Sequence, residues 1–110
     1  MLSADEREFL IQGLVQWSGP ATCTDDIARV IGFSDKADFR AGVERIEGML
    51  REASPMSGED WTRALVATEL VYASDRYGAG VEWETVSGWG DVESIHMLRG
   101  LQRQLVAVGA

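Results

Sequence analysis

Apolar residues recur along this chain at spacings of three and four, and strict alternation is nearly absent, a pattern that predicts an all-α protein of about six helices. Ser3 followed by Glu6 has the spacing of a capping box, and Phe9, Leu10, Leu14 and Trp17 then form one apolar stripe on a helix from about Ala4 to Trp17. Ser18, Gly19 and Pro20 end it. Thr24 caps a short second helix with Asp25 and Asp26 in its first turn, favourable at the positive helix end, and with Ile27, Val30 and Ile31 predicted to face inward. Gly32 stops this helix. Ser34 is placed to cap a long amphipathic helix that reaches Pro55. Phe39, Val43, Ile46, Met49 and Leu50 line one side of it, and Arg40, Glu44, Arg45, Glu47 and Arg51 the other.

A fourth helix runs from Ser57 to about Arg76, with apolar residues on nearly every side, and is expected to be the central, most buried one. Gly78, Gly80, Gly88 and Gly90 break up the stretch that follows, which reads as a loop around one short helix at Glu82 to Ser87. Asp91 then caps a last helix whose predicted inner face is Val92, Ile95, Leu98, Leu101 and Leu105. A shift of 56 residues pairs Arg7 with Arg63, Leu14 with Leu70, Gly32 with Gly88 and Asp35 with Asp91, and sets Phe33 opposite Trp89, Ile27 opposite Trp83 and Phe39 opposite Ile95. The chain therefore reads as one all-α domain over residues 1–110, compatible with two long-short-long pseudo-repeats at 4–53 and 58–106.

Composition narrows this picture. At 110 residues the chain is one domain's length, enough to bury a core without disulfide or metal staples. Its single cysteine, Cys23, forms no intramolecular bridge and needs no oxidising compartment. The first eight residues carry Asp5, Glu6 and Glu8 instead of a basic and then apolar leader, and no apolar run approaches the ~18 residues of a membrane span. The expectation is a cytoplasmic protein without membrane contact. Nine of the ten basic residues are Arg, and Ala, Gly and Val are plentiful, as in a GC-rich bacterial coding sequence. Eighteen acidic residues against ten basic ones give a net charge of −8, which favours basic partners and opposes nucleic acid.

The stretch from Asp26 to Phe39 places Ile27-Ala28 on a short helix, Gly32-Phe33 in a turn, and Lys36 onward on a longer helix. It resembles the helix-turn-helix of AraC-type transcription regulators, whose DNA-binding region carries two such units joined by a long helix. Gly88-Trp89-Gly90-Asp91 would supply the second turn. By that resemblance the second helix of each unit enters the major groove, and Lys36, Arg40, Arg45, His96, Arg99 and Arg103 would face DNA. The charges depart from it: Asp35 and Asp38 open one reading helix, Asp91 and Glu93 the other. A continuous basic stripe over Arg40, Arg45, Arg99 and Arg103 would support DNA contact, and scattered salt pairs would support a protein binder.

Catalytic chemistry finds little to stand on. Glu93 and His96 have the i, i+3 spacing of half a di-iron site, and a homodimer would double them together with Glu69, yet the ordinary reading is a solvated helix face. His96 is the only imidazole, and no local pattern joins it to Cys23 or a serine. Glu69, on an apolar helix, calls for a partner such as Tyr72, Arg76 or an arginine of another helix. Gly78-Ala79-Gly80 lacks the glycine spacing, the lysine and the strand of a phosphate loop. No cofactor or metal is expected. Among the four tryptophans, Trp17 and Trp61 fall on core stripes, while Trp83 and Trp89 either cover the core or join Tyr77 in an exposed aromatic anchor. The sequence thus predicts a non-catalytic, acidic helical module of regulatory type. Its partner would be a protein, of basic character or a second copy of this chain, contacted through Tyr77, Trp83 and Trp89, with a helix-turn-helix DNA-binding regulator as the alternative.

Overall fold

A computed structural model describes residues 2–19 and 21–107, the side chains of 106 and 107 excepted. It is all helical, with no strand among the described residues. The helices are α1 (Ala4–Val15), α2 (Asp25–Ile31), α3 (Lys36–Glu52), α4 (Gly58–Ala73), α5 (Trp83–Ser87) and α6 (Asp91–Ala107), with 3-10 turns at Gln16–Ser18 and Gly80–Glu82. Among the described residues no helix is long and apolar enough to cross a membrane.

Local capping chemistry sets most of these boundaries. The Ser3 hydroxyl accepts from the Glu6 N–H at 3.1 Å while the Glu6 carboxylate accepts from the Ser3 N–H at 2.8 Å, completing the predicted box. Thr24 caps α2 and Ser57 caps α4 in the same manner. Two caps differ from expectation. Asp35 rather than Ser34 caps α3, because the Asp38 carboxylate takes both the backbone and the hydroxyl of Ser34 and leaves its own N–H to Asp35. At α6 it is the Gly90 carbonyl that accepts the first helical bond, from Ser94, so Asp91 lies inside the helix.

The central helix is α1, not α4. From Phe9 onward α1 buries Phe9, Leu10, Ile11, Gly13 and Leu14, and it packs on α3, α4, α5 and α6. α4 turns its small residues inward, Ala64, Ala67, Thr68 and Val71, and leaves Trp61, Leu65, Val66, Leu70 and Tyr72 half-buried. Small residues there let the two backbones close up: a Cβ on Gly13 would lie 2.4 Å from the Thr68 hydroxyl, which bonds back to the Ala64 carbonyl instead. Most of the large buried side chains at the α1/α4 contact thus come from α1, which explains why apolar count along the sequence picked the wrong helix.

The inward stripes also shift. On α2 Val30 is exposed and Ala28 and Ile31 are buried. On α6 Val92 and Ile95 are exposed, and the inner stripe runs through Ser94, Leu98, Leu101 and Leu105. The short helices cross over: α2 packs on α3 and α4, whereas α5 packs on α1. Gly32 and Gly88 end them with φ of 121° and 80°, a region open to glycine, and the aromatics that follow dock on the opposite long helix, Phe33 beneath Arg63 of α4 and Trp89 against Phe9 of α1. The correspondence between the halves fails at Phe39 and Ile95, since the first is buried and the second exposed.

An ion-pair cluster ties α3 and the turn before it to α4. Arg45 meets the buried Asp60 carboxylate through both ends, at 2.6 and 3.0 Å, and Arg63 adds a third bond at 3.1 Å. Arg63 also donates to the Gly32 carbonyl at 3.1 and 2.9 Å and lies 4.6 Å from the Phe33 ring centre. The Arg45 bonds hold the Asp60 carboxyl below the usual carboxylate range, against the upward push of burial, with Arg63 assisting. Because that pKa is depressed on folding, its stabilisation is present above the unfolded carboxylate value and disappears as pH falls through the folded one. Asp60→Asn is expected to cost about 2 kcal/mol at neutral pH, less than a fully buried pair because Arg45 is half exposed. Denaturant midpoints of the two proteins, followed into acid, should converge.

Candidate functional site

The aromatic set proposed from sequence does not form an exposed anchor. Trp83 is 2% exposed: its ring meets Phe9 edge-on at 5.4 Å and Tyr72 at 6.0 Å, and its indole N–H donates to the buried Ser94 hydroxyl at 2.7 Å. Trp89 is half-buried and also meets Phe9 edge-on, at 5.5 Å. Tyr77 is half-buried, with the Arg76 guanidinium 5.6 Å from its ring centre and its carbonyl accepting from the Thr22 N–H. The glycines explain the reversal. A Cβ on Gly78 would lie 2.4 Å from the Leu70 carbonyl, so the loop after α4 folds directly back on that helix and carries Trp83 into the core. Nearby, Tyr72 donates to the Asp91 carboxylate, which pushes its pKa up to about 12.

The six basic candidates separate. Arg45 is consumed by Asp60. His96, Arg99 and Arg103 are exposed on α6, with Arg99 donating to Gln102 at 2.9 Å. Lys36 and Arg40 are exposed on the first turns of α3, and neither has a carboxylate within ion-pair distance among the described residues. The amino end of α3, which a reading helix would present to DNA, is crowned with carboxylates. Asp25 accepts from the Lys36 N–H at 2.9 Å and Asp35 from the Asp38 N–H at 2.8 Å. Asp38 is itself held below the usual range, chiefly by the Ser34 N–H.

The metal and catalytic fragments stay apart. Glu69 takes its bond from Gln102 of α6 at 2.5 Å rather than from Tyr72, Arg76 or another arginine. No three metal-ligating side chains converge among the described residues. Cys23, partly buried, bonds to the Thr24 carbonyl, and burial pushes its thiol up.

What the geometry does assemble is an apolar groove of about 600 Å³ where the start of α1, the end of α3, the start of α4 and the end of α6 meet. Leu2, Met49, Met56 and Trp61 give it an apolar wall, and Arg7 and Gln104 its polar edge. Arg7 is positioned by a bond to the Leu2 carbonyl at 3.0 Å, and Gln104 by one to Glu6. Ala53, the one non-glycine residue with positive φ among those described, closes α3 at its rim in the left-handed region. Its N–H and that of Ser54 turn back to the Leu50 and Met49 carbonyls, and this abrupt stop leaves Met49 and Met56 lining the same groove. Sequence reasoning placed Met49 and Trp61 in core stripes and passed over Met56. The available signal was two methionines and a tryptophan bracketing Pro55 at a helix break. No protein-family model, no curated protein and no solved structure matches the chain.

Proposed function

We propose that this protein is a non-catalytic binding module that takes the apolar face of a basic partner protein into the groove walled by Met49, Met56 and Trp61. The observation that carries the reading is the groove itself, apolar, open and formed by four helix ends. Methionine side chains re-pack at low cost and tryptophan supplies rigid contact area, the combination used by adaptable protein-binding surfaces. Charge sets the partner's character. The chain carries −8, and four of its arginines, Arg29, Arg45, Arg51 and Arg63, are already paired with carboxylates, so its outward field attracts basic surfaces and accelerates their encounter.

Contact with DNA through α3 is the second reading, favoured by the α2-turn-α3 arrangement and by Lys36 and Arg40, which have no carboxylate within ion-pair distance among the described residues. The carboxylates of Asp25, Asp35 and Asp38 at the same helix end weigh against it, since a duplex lying along α3 would bring a row of phosphates against all three, unlike a single small anion. One experiment separates the readings: capture from the native lysate with tagged wild type and with Met56→Glu, each with and without nuclease. A nuclease-resistant protein, lost by more than about tenfold with Met56→Glu, supports groove docking. Nuclease-sensitive recovery of discrete DNA, or a protein recovered equally by both, overturns it.

A further inference from the structure

We infer that a second cavity, at the other end of α1 and α3, binds a small organic monoanion with an apolar body, such as an aromatic or branched carboxylate or sulfonate. The cavity holds about 560 Å³ between the end of α1, the segment before α2 and the first three turns of α3, a volume suited to a small molecule. Its floor is apolar. Leu14 and Phe39 are buried there, and the Trp17 ring stands edge-on to Phe39 at 5.1 Å.

Two cations line one side. Lys36 and Arg40 are one helical turn apart, a like-charge spacing that costs a helix stability, and neither has a carboxylate within ion-pair distance among the described residues. Both lie close enough to Cys23, on the segment before α2, to pull its thiol pKa down against the dominant effect of burial and the opposing charge of Asp25. A third feature is independent of charge. The Trp17 ring lines this cavity and offers it aromatic surface, while its indole N–H is buried away from solvent. An apolar, aromatic floor with two cations along one side is the complement of an amphipathic anion.

The surrounding carboxylates refine the ligand. Glu44 and Glu47 line the cavity farther along α3, so the anionic group lies at the Lys36 end and the distal end carries no negative charge. Asp25, Asp35 and Asp38 crown the amino end of α3, and a doubly charged phosphate would be repelled there about twice as strongly as a monoanion. This site is separate from the Met49–Trp61 groove and does not depend on the docking reading.

The test uses 8-anilinonaphthalene-1-sulfonate and octanoate as probes and Cys23 as the reporter of position. The naphthalene sulfonate should bind the folded chain with enhanced fluorescence, octanoate should displace it, and either should slow alkylation of Cys23 by N-ethylmaleimide. Lys36→Gln with Arg40→Gln should weaken binding at least about tenfold, the loss of charge-assisted contacts. Arg99→Gln with Arg103→Gln, the same change of charge on α6, should leave it unchanged. The inference is overturned if neither probe binds, if the Lys36 and Arg40 substitutions have no more effect than those at Arg99 and Arg103, or if saturating probe leaves the alkylation rate of Cys23 unaltered.

Discussion

Trp83→Ala is expected to destabilise the protein by about 4 kcal/mol, enough to bring a domain of this size close to unfolding. Had Trp83 been the exposed anchor that its glycine-rich surroundings allow, the loss would be within about 0.5 kcal/mol. The structure puts it on the other side of that choice. Its ring is 2% exposed and sits between Phe9 and Tyr72, so truncation removes two edge-on aromatic contacts and opens a cavity beside the central helix. It also leaves the Ser94 hydroxyl, wholly buried, without the indole N–H at 2.7 Å. Trp83→Phe keeps part of the aromatic packing, forfeits the bond to Ser94 together with one of the two fused rings, and should cost about half as much. Denaturant titration of the three proteins orders them, and a Trp83→Ala midpoint equal to that of the wild type would remove Trp83 from the core.

The second large effect belongs to the Phe33 seat. Phe33→Ala should cost about 3 kcal/mol or more, since the ring is 5% exposed, stacks edge-on against Phe39 at 5.6 Å and lies under the Arg63 guanidinium. The neighbouring Gly42→Ala should be damaging for the opposite reason. A Cβ there would lie 2.1 Å from the Phe33 ring edge and 2.7 Å from the next carbon, so the ring must leave its seat. Helix propensity favours alanine over glycine by about 1 kcal/mol, and the steric cost exceeds it, giving a net loss of about 2 kcal/mol. The two substitutions should not add. In the Phe33→Ala background the obstructing ring is gone, and Gly42→Ala becomes neutral or stabilising. Additive losses would show that the ring is not what Gly42 accommodates.

Gly42 shows where reading the sequence stops. A glycine inside a long amphipathic helix registers only as a weak helix former, and nothing near it names Phe33, nine residues earlier across a turn, as the group that occupies its missing side chain. Ser94 is a similar case. It interrupts the apolar series of α6, so periodicity placed the inner face on Val92 and Ile95, both exposed, when the true stripe passes through the serine because Trp83 needs an acceptor there. Asp60 was legible as a first-turn acid after its Ser57 cap, but not as the acceptor that takes Arg45 out of any basic stripe. The apolar groove escaped because its walls come from residues as distant as Leu2 and Leu105, each ordinary in its own helix.

The sequence by itself determined the all-α class, the order of long and short helices, and most of their ends. Capping hydroxyls, first-turn acids and terminating glycines act within one turn of their own helix, and a periodicity near 3.6 is a property of one segment. Only the tertiary structure decided that α1 and not α4 is central, that Trp83 points inward, that Arg45 is spent on Asp60, and that two cavities open at opposite ends of α1 and α3. Those outcomes depend on which surface covers which, and so on how closely two backbones approach: Gly13 against Thr68 and Gly78 against Leu70 let helices and loops meet at distances that no side chain would permit.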